Sequence, residues 1–447
     1  MSILRETGGT LRLAVPLMIG NVSQMLLGLA DTLMVGKLGV AQLAALTFAN
    51  AVFHIPFIFG MGILSAIAVL SSNARGAGDP AAARASCRHG LYLAATLGLL
   101  LLVVFLLISP HLHRFGQPPE IVKLSRPFLT IIMASLIPAL LAIALKNHAD
   151  ALNRPWPPFW IFLGGVGLNI FLNWVMIYGK FGVPALGMTG AAWATFISRW
   201  VIVAAMLVWM LGSRDLTEWI PKRWLAMPVT KEITRLLAIG FPASIHMVFE
   251  VGAFSMSGFL MGRFGEVPMA AHQIALTLAG TSFMVPLGLS MALTVRAGEA
   301  FGAGNHARLR PIILSGWILC AGYALLAALF FVTLGETISA GFTNSAAVIA
   351  LASSMLTIVG VFQLVDALQV ASSAILRGIH DTRFPAWMGF ISYWIIGIPA
   401  GALLGFHFVM GARGVWWGLA IGLAVACLTI GARVWLQTNP ARTHPGN

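Results

Sequence analysis

Apolar positions gather along this chain in runs of about twenty residues or more, the length that crosses the hydrocarbon core of a bilayer. The runs lie roughly at 11–36, 44–71, 89–109, 125–145, 157–178 and 187–211. They continue at 234–261, 268–295, 311–334, 345–375, 386–409 and 413–436. Charged residues collect in the gaps. The pattern predicts an all-α integral membrane protein with twelve transmembrane helices.

The pattern also repeats. Shifted by 226 positions, residues 15–79 fall on 241–305 without a gap. Pro16 meets Pro242, Gly36 meets Gly262, and Gly76-Ala77-Gly78 meets Gly302-Ala303-Gly304. Later, Gly187, Gly190 and Trp193 match Gly411, Gly414 and Trp417. Such self-similarity is the mark of duplicated halves. The expected division is an N-lobe over 1–212, a cytoplasmic linker over 213–235 and a C-lobe over 236–447. Six spans per half is even, so the two pseudo-symmetric lobes share an orientation about an axis along the membrane normal. The glycine turns at 76–78 and 302–304 read as helix C-caps, since no Gly-Lys-Ser/Thr ending follows them.

Three acids interrupt the apolar runs: Asp31, Glu250 and Asp366. A charge at mid-membrane costs at least about 2.5–3.5 kcal/mol, and such residues usually mark an ion or substrate path. The plain alternative is a structural pair, and Arg199 is the one basic residue expected well inside a span. Gln24 lies seven residues before Asp31 on the same helix face. Glu250 falls on Gln24 in the repeat, whereas Asp31 falls on Ser257. The acids of the two halves therefore differ in depth by about 10 Å. His246 precedes Glu250 by one turn, as a partner or as a satisfied helix histidine. Gln363 and Gln369 flank Asp366 at three-residue spacing. Asn169, Asn173 and Thr195 form a polar set in the fifth and sixth spans. Amides and hydroxyls of this kind hold a carboxylate or a bare cation, or act as interhelical glue. Met284, among other methionines, fits an adaptable cavity or ordinary packing.

Composition agrees with this picture. Hydrophobic residues make up 59% and charged residues 9%, which a soluble fold of 447 residues does not show. Cys87, Cys320 and Cys427 lie far apart and read as small core residues, and no cleavable signal is expected. The net charge of +13 is scattered among loops, so nucleic acid is not an expected partner. Placing the N-terminus in the cytoplasm puts 19 Lys and Arg inside and 7 outside. That bias favours both termini inside. No ATP-binding motif is seen, and the chain is not read as an enzyme: no catalytic residue and no cofactor are assigned.

The residues now resemble a known family. Leu27-Gly28-Leu29-Ala30-Asp31-Thr32, Gly240-Phe241-Pro242, Phe249-Glu250-Val251, Ala270-Ala271-His272-Gln273, Asn173-Trp174 and Leu376-Arg377-Gly378 are similar to the multidrug and toxic compound extrusion (MATE) transporters. Glu250 and Asp366 beside Asp31 resemble the NorM-type branch. The resemblance implies a two-lobed antiporter of the bacterial inner membrane, exporting organic cations and hydrophobic drugs while Na⁺ or H⁺ enters. It implies a C-lobe cation site at Glu250 and Asp366, able to take Na⁺. It implies an N-lobe site of Asp31, Asn169, Asn173 and Thr195. Relatives often carry Tyr where this chain has Phe362, which weakens the case for Na⁺ and leaves H⁺. Candidate cavity residues are Gln24, His246, Ser257, Gln363, Phe362 and Met284. The expected partners are drugs, a monovalent cation and the lipid bilayer, with the chain a monomer. The alternative is a flippase for lipids or lipid-linked oligosaccharides, built on the same twelve-helix plan.

Overall fold

The computed structural model describes residues 3–439, without the side chains of Leu26, Leu27 and Phe115. The side chain of Leu27 in the motif above, residues 1–2 of the expected N-lobe and residues 440–447 of the expected C-lobe therefore fall outside what is described. Among the described residues, twelve helices are long and apolar enough to cross a membrane. They are α1 (Ile3–Gly36), α2 (Val40–Gly76), α3 (Pro80–Arg114), α4 (Pro119–Ala151), α5 (Trp156–Tyr178) and α6 (Met188–Gly212). The second half supplies α7 (Thr230–Gly262), α8 (Glu266–Gly302), α9 (His306–Ala340), α10 (Ala346–Gly378), α11 (Arg383–His407) and α12 (Ala412–Gln437). The expected all-helical fold is borne out. The helices outrun the apolar windows that predicted them. Arg296 lies inside α8 and Arg377 inside α10, so Arg199 is not the one basic residue within a helical span.

Local sequence explains where elements start and bend. Asp79 caps α3 by accepting from the backbone N–H of Ala82 at 3.0 Å, with Pro80 at the first helical position. Within α4 the helix breaks at Ser135. Pro138, three residues on, lacks an N–H and its ring crowds the carbonyl of Ala134.

The repeat is written into the backbone. Gly78 and Gly304 both sit at φ +66° after the caps Ala77 and Ala303. Gly187 and Gly411 open α6 and α12 at φ +56° and +59°, with ψ −135° and −142°. That region is open to glycine and closed to residues with a Cβ. The halves part company at α5 and α11. The first is a regular helix, whereas α11 widens into i→i+5 turns over Ile391–Gly397 and Leu403–His407.

Contacts divide the chain into two compact units, residues 1–21 with 245–447, and residues 22–244. The division falls inside α1 and α7, a few residues past Pro16 and Pro242, and not in the 213–235 segment. Each helix begins in one unit and continues in the other. In the unit of 22–244, Leu236 and Ile239 of α7 join Ile63, Leu64, Ile67 and Leu97 in the core. In the other unit, Glu6 of α1 is buried, ion-paired with Arg296 and, at 3.0 Å, with Arg308.

Residues 213–229 are not a loose tether. Leu216 and Ile220 pack against Leu145, Met206 and Met210. Tyr92 donates to the carbonyls of Trp224 and Ala226, and the N–H of Val229 donates to His89.

Candidate functional site

Two groups of polar side chains lie within the spans, one in each unit. In the unit of 22–244, α5 carries Asn169 and Asn173 one turn apart, both buried. Asn173 Nδ2 donates to Asp31 Oδ1 at 2.5 Å and to Asn169 Oδ1 at 2.9 Å. Asn169 Nδ2 reaches Thr195 Oγ1 of α6 at 3.1 Å. Turned over, the Asn169 amide donates to Asp31 Oδ1 at 3.2 Å and accepts from Thr195 Oγ1 and N at 3.1 and 3.2 Å. In either setting Asp31, Asn169, Asn173 and Thr195 form one connected set. The buried Asn173 Oδ1 has no donor among the described residues. Arg199 senses Asp31 electrostatically, yet its hydrogen bonds go to Ser135, with Oγ at 2.5 Å. Its guanidinium lies over the rings of Phe53 and Phe57 at 5.1 and 5.9 Å. Asp31 is thus held by amides, with a cation nearby and not bonded to it. Gln24 is exposed, with no contact to this set shown.

In the unit of 245–447, α10 carries Gln363, Asp366 and Gln369, all buried. Glu250 of α7 interacts electrostatically with Asp366 and with Arg377. Asp366 Oδ1 finds no donor among the described residues. Gln363 Nε2 donates to the Ala279 carbonyl at 2.9 Å, and Gln369 Nε2 lies 3.3 Å from His246 Nε2. His246 therefore meets Gln369 and the close-packed Gly389, while Ser257 donates back to Phe254 O at 2.6 Å. Phe362 packs its ring against Phe254 and, at 90° and 5.8 Å, against Trp416. Met284 accepts at its carbonyl from Asn21 at 3.5 Å.

Sequence reasoning missed several members of this group. Tyr393, from the wide turn of α11, is 1% exposed and interacts with both Glu250 and Asp366, and its hydroxyl has no partner among the described residues. His272 and Trp416 are also buried, their ring nitrogens without a partner among the described residues, 5.6 Å apart at their centroids. Arg377 lies within electrostatic range of Glu250, so that acid is not without a basic neighbour. Tyr393 was findable, being one of four tyrosines and set beside Ser392 in an apolar run.

The donors assembled here are carboxylate, phenol and amide oxygens, which suit a hard monovalent cation or a proton. Among the described residues no three His, Cys, Asp or Glu side chains are grouped as metal ligands.

The MatE family model matches residues 16–175 and again 242–403, one match in each half. The chain belongs to the MatE family. The two matches begin at Pro16 and Pro242, the pair that the internal repeat superposes. Among curated relatives, the MatE chain is 35% identical to "Probable multidrug resistance protein NorM" of Agrobacterium fabrum, over 95% of this chain and 92% of that one. It is 34% identical to "Multidrug resistance protein NorM" of Burkholderia vietnamiensis, over 98% and 96%. In fold it resembles the eukaryotic MATE transporter AtDTX14, with a TM-score of 0.89 at 22% identity over 99% of this chain and 100% of that one. This MatE protein is a multi-pass membrane transporter and not an enzyme.

Proposed function

We propose that this transporter is a cation-coupled multidrug efflux antiporter of the bacterial inner membrane. Organic cations and hydrophobic drugs leave as Na⁺ or H⁺ enters. The observation that carries the reading is the pair Glu250 and Asp366, two interacting acids within helical spans, with Asp366 Oδ1 lacking any donor among the described residues. Arg377 can balance the charge of one of the two acids, which leaves the other, Asp366 with its unmet Oδ1, to a cation or a proton. Tyr393 adds an oxygen to that set, in place of the hydroxyl that Phe362 lacks. The NorM names of relatives at about 35% identity support a drug as the exported cargo. The Asp31–Asn173–Asn169–Thr195 chain is a second polar site, suited to a proton or a cationic group. A flippase would need cations gathered around its substrate's phosphates, whereas both groups described here are built mainly on acids and amides.

The test is ethidium or norfloxacin release from vesicles holding purified protein under imposed Na⁺ or H⁺ gradients. One of the two gradients should drive export. Glu250→Gln and Asp366→Asn should each abolish that coupling while inserting at normal levels. Full coupled export in both variants would falsify the assignment of the ion site. Export indifferent to either gradient would sink the antiport reading.

A further inference from the structure

At one end of α3 a second kind of site is present. Arg84 and Arg88, from its first turns, and Pro221, Lys222 and Arg223, from the docked 213–229 segment, line a cavity of about 260 Å³. Four of these side chains are cationic and no acid lines the cavity with them. Arg84 uses one nitrogen to hold the Glu218 carbonyl at 2.7 Å. Arg88 Nε is buried without a partner among the described residues. A buried guanidinium N–H left unmet calls for an acceptor.

The walls are fixed before any ligand arrives. Tyr92, His89 and Arg84 tie the segment to α3, and His148 Nε2 meets the Trp219 carbonyl at 3.1 Å. Directly after the cations come Leu225 and Met227, 92% and 86% exposed. Cations followed at once by bare apolar side chains, with Trp219 and Trp224 alongside, are the composition of a segment resting in a bilayer interface. The site also lies on the side that the Lys and Arg bias assigns to the cytoplasm.

We propose that this cavity binds the phosphate of an anionic phospholipid, with the acyl chains lying against Leu225 and Met227. Guanidinium forks pair with phosphate oxygens through two parallel hydrogen bonds, and ammonium groups add charge. The anionic lipid of a bacterial membrane supplies both the phosphate and the net charge, and Leu225 and Met227 fit its chains better than they fit water.

The experiment uses the full-length protein in detergent, titrated with phosphatidylglycerol or phosphatidylcholine, with bound lipid counted by native mass spectrometry. Phosphatidylglycerol should bind and phosphatidylcholine should bind far more weakly. Arg88→Gln combined with Lys222→Gln should weaken phosphatidylglycerol roughly twenty-five-fold, at about five-fold per cation. Lys123→Gln with Arg126→Gln, an equal charge loss at the start of α4, should leave it unchanged. Leu225→Gln with Met227→Gln changes only exposed side chains and should also weaken phosphatidylglycerol binding. Equal binding of both lipids, or undiminished binding to the Arg88 and Lys222 variant, overturns the proposal. Displacement of the lipid by millimolar inorganic phosphate overturns it too, in favour of a free-phosphate site.

Discussion

Asp31 shows how much one side chain is asked to do. Its carboxyl takes a 2.5 Å hydrogen bond from Asn173, and Asn173 is in turn fixed by Asn169. An asparagine at 31 keeps an oxygen to accept that bond and removes the charge. Asp31→Asn should therefore fold with a stability change of about 1 kcal/mol or less. It should lower ethidium export at least ten-fold in a host lacking other pumps. Wild-type export in that strain would make the acid structural. Tyr393 poses the converse case, since its buried hydroxyl bonds to nothing among the described residues. Removing an unpaired hydroxyl costs little or nothing. Tyr393→Phe should leave the melting temperature unmoved and raise the cation concentration for half-maximal export. An unchanged cation dependence would remove Tyr393 from the site.

At the scale of elements, α11 and α12 are held together by glycines four residues apart. A Cβ on Gly418 would stand 2.1 Å from Gly401 N, and one on Gly422 would stand 2.3 Å from Ser392 O. One on Gly414 would stand 2.6 Å from Gly405 N. In lipid, where burying apolar surface brings no gain between helices, such backbone contact is the main source of helix attachment. It also holds the wide turns of α11, and through them the ring of Tyr393. Gly418→Ala forces backbone against backbone and should cost at least about 1–3 kcal/mol. Lower yield and a lower melting temperature are the expected readouts. Gly167→Ala on α5 meets nothing within 4 Å and should be neutral in the same assays. If both behave alike, the glycine contact does not hold α11.

Across the whole molecule, what the sequence disclosed and what it hid follow different physics. Span length and the 226-residue offset are local properties, so twelve helices and the twin turns at Gly78 and Gly304 were legible in advance. One-turn spacing set both amides on one face of α5, whereas the grouping of Asp31 with Asn169, Asn173 and Thr195 was implied only by the resemblance to the MATE transporters. Arg296 and Arg377 were misjudged because apolar windows stop at a charge while the helix runs on. Tyr393 and the assignment of the first parts of α1 and α7 to opposite units depend on packing between distant segments, which no period in the sequence records. Topology remains a global property read from charge alone, and it can be tested as one. Leu225, Phe181 and Val409 are 92%, 77% and 85% exposed, in segments outside the helical spans. With helices alternating in direction, the charge bias places 225 in the cytoplasm and both 181 and 409 outside. Single cysteines at these positions, with Cys87, Cys320 and Cys427 replaced by serine or alanine, give the readout. A membrane-impermeant maleimide added to intact cells should label 181 and 409 and spare 225 until the membrane is opened. The opposite pattern would invert the whole protein, and labelling of 181 without 409 would break the shared orientation of the halves.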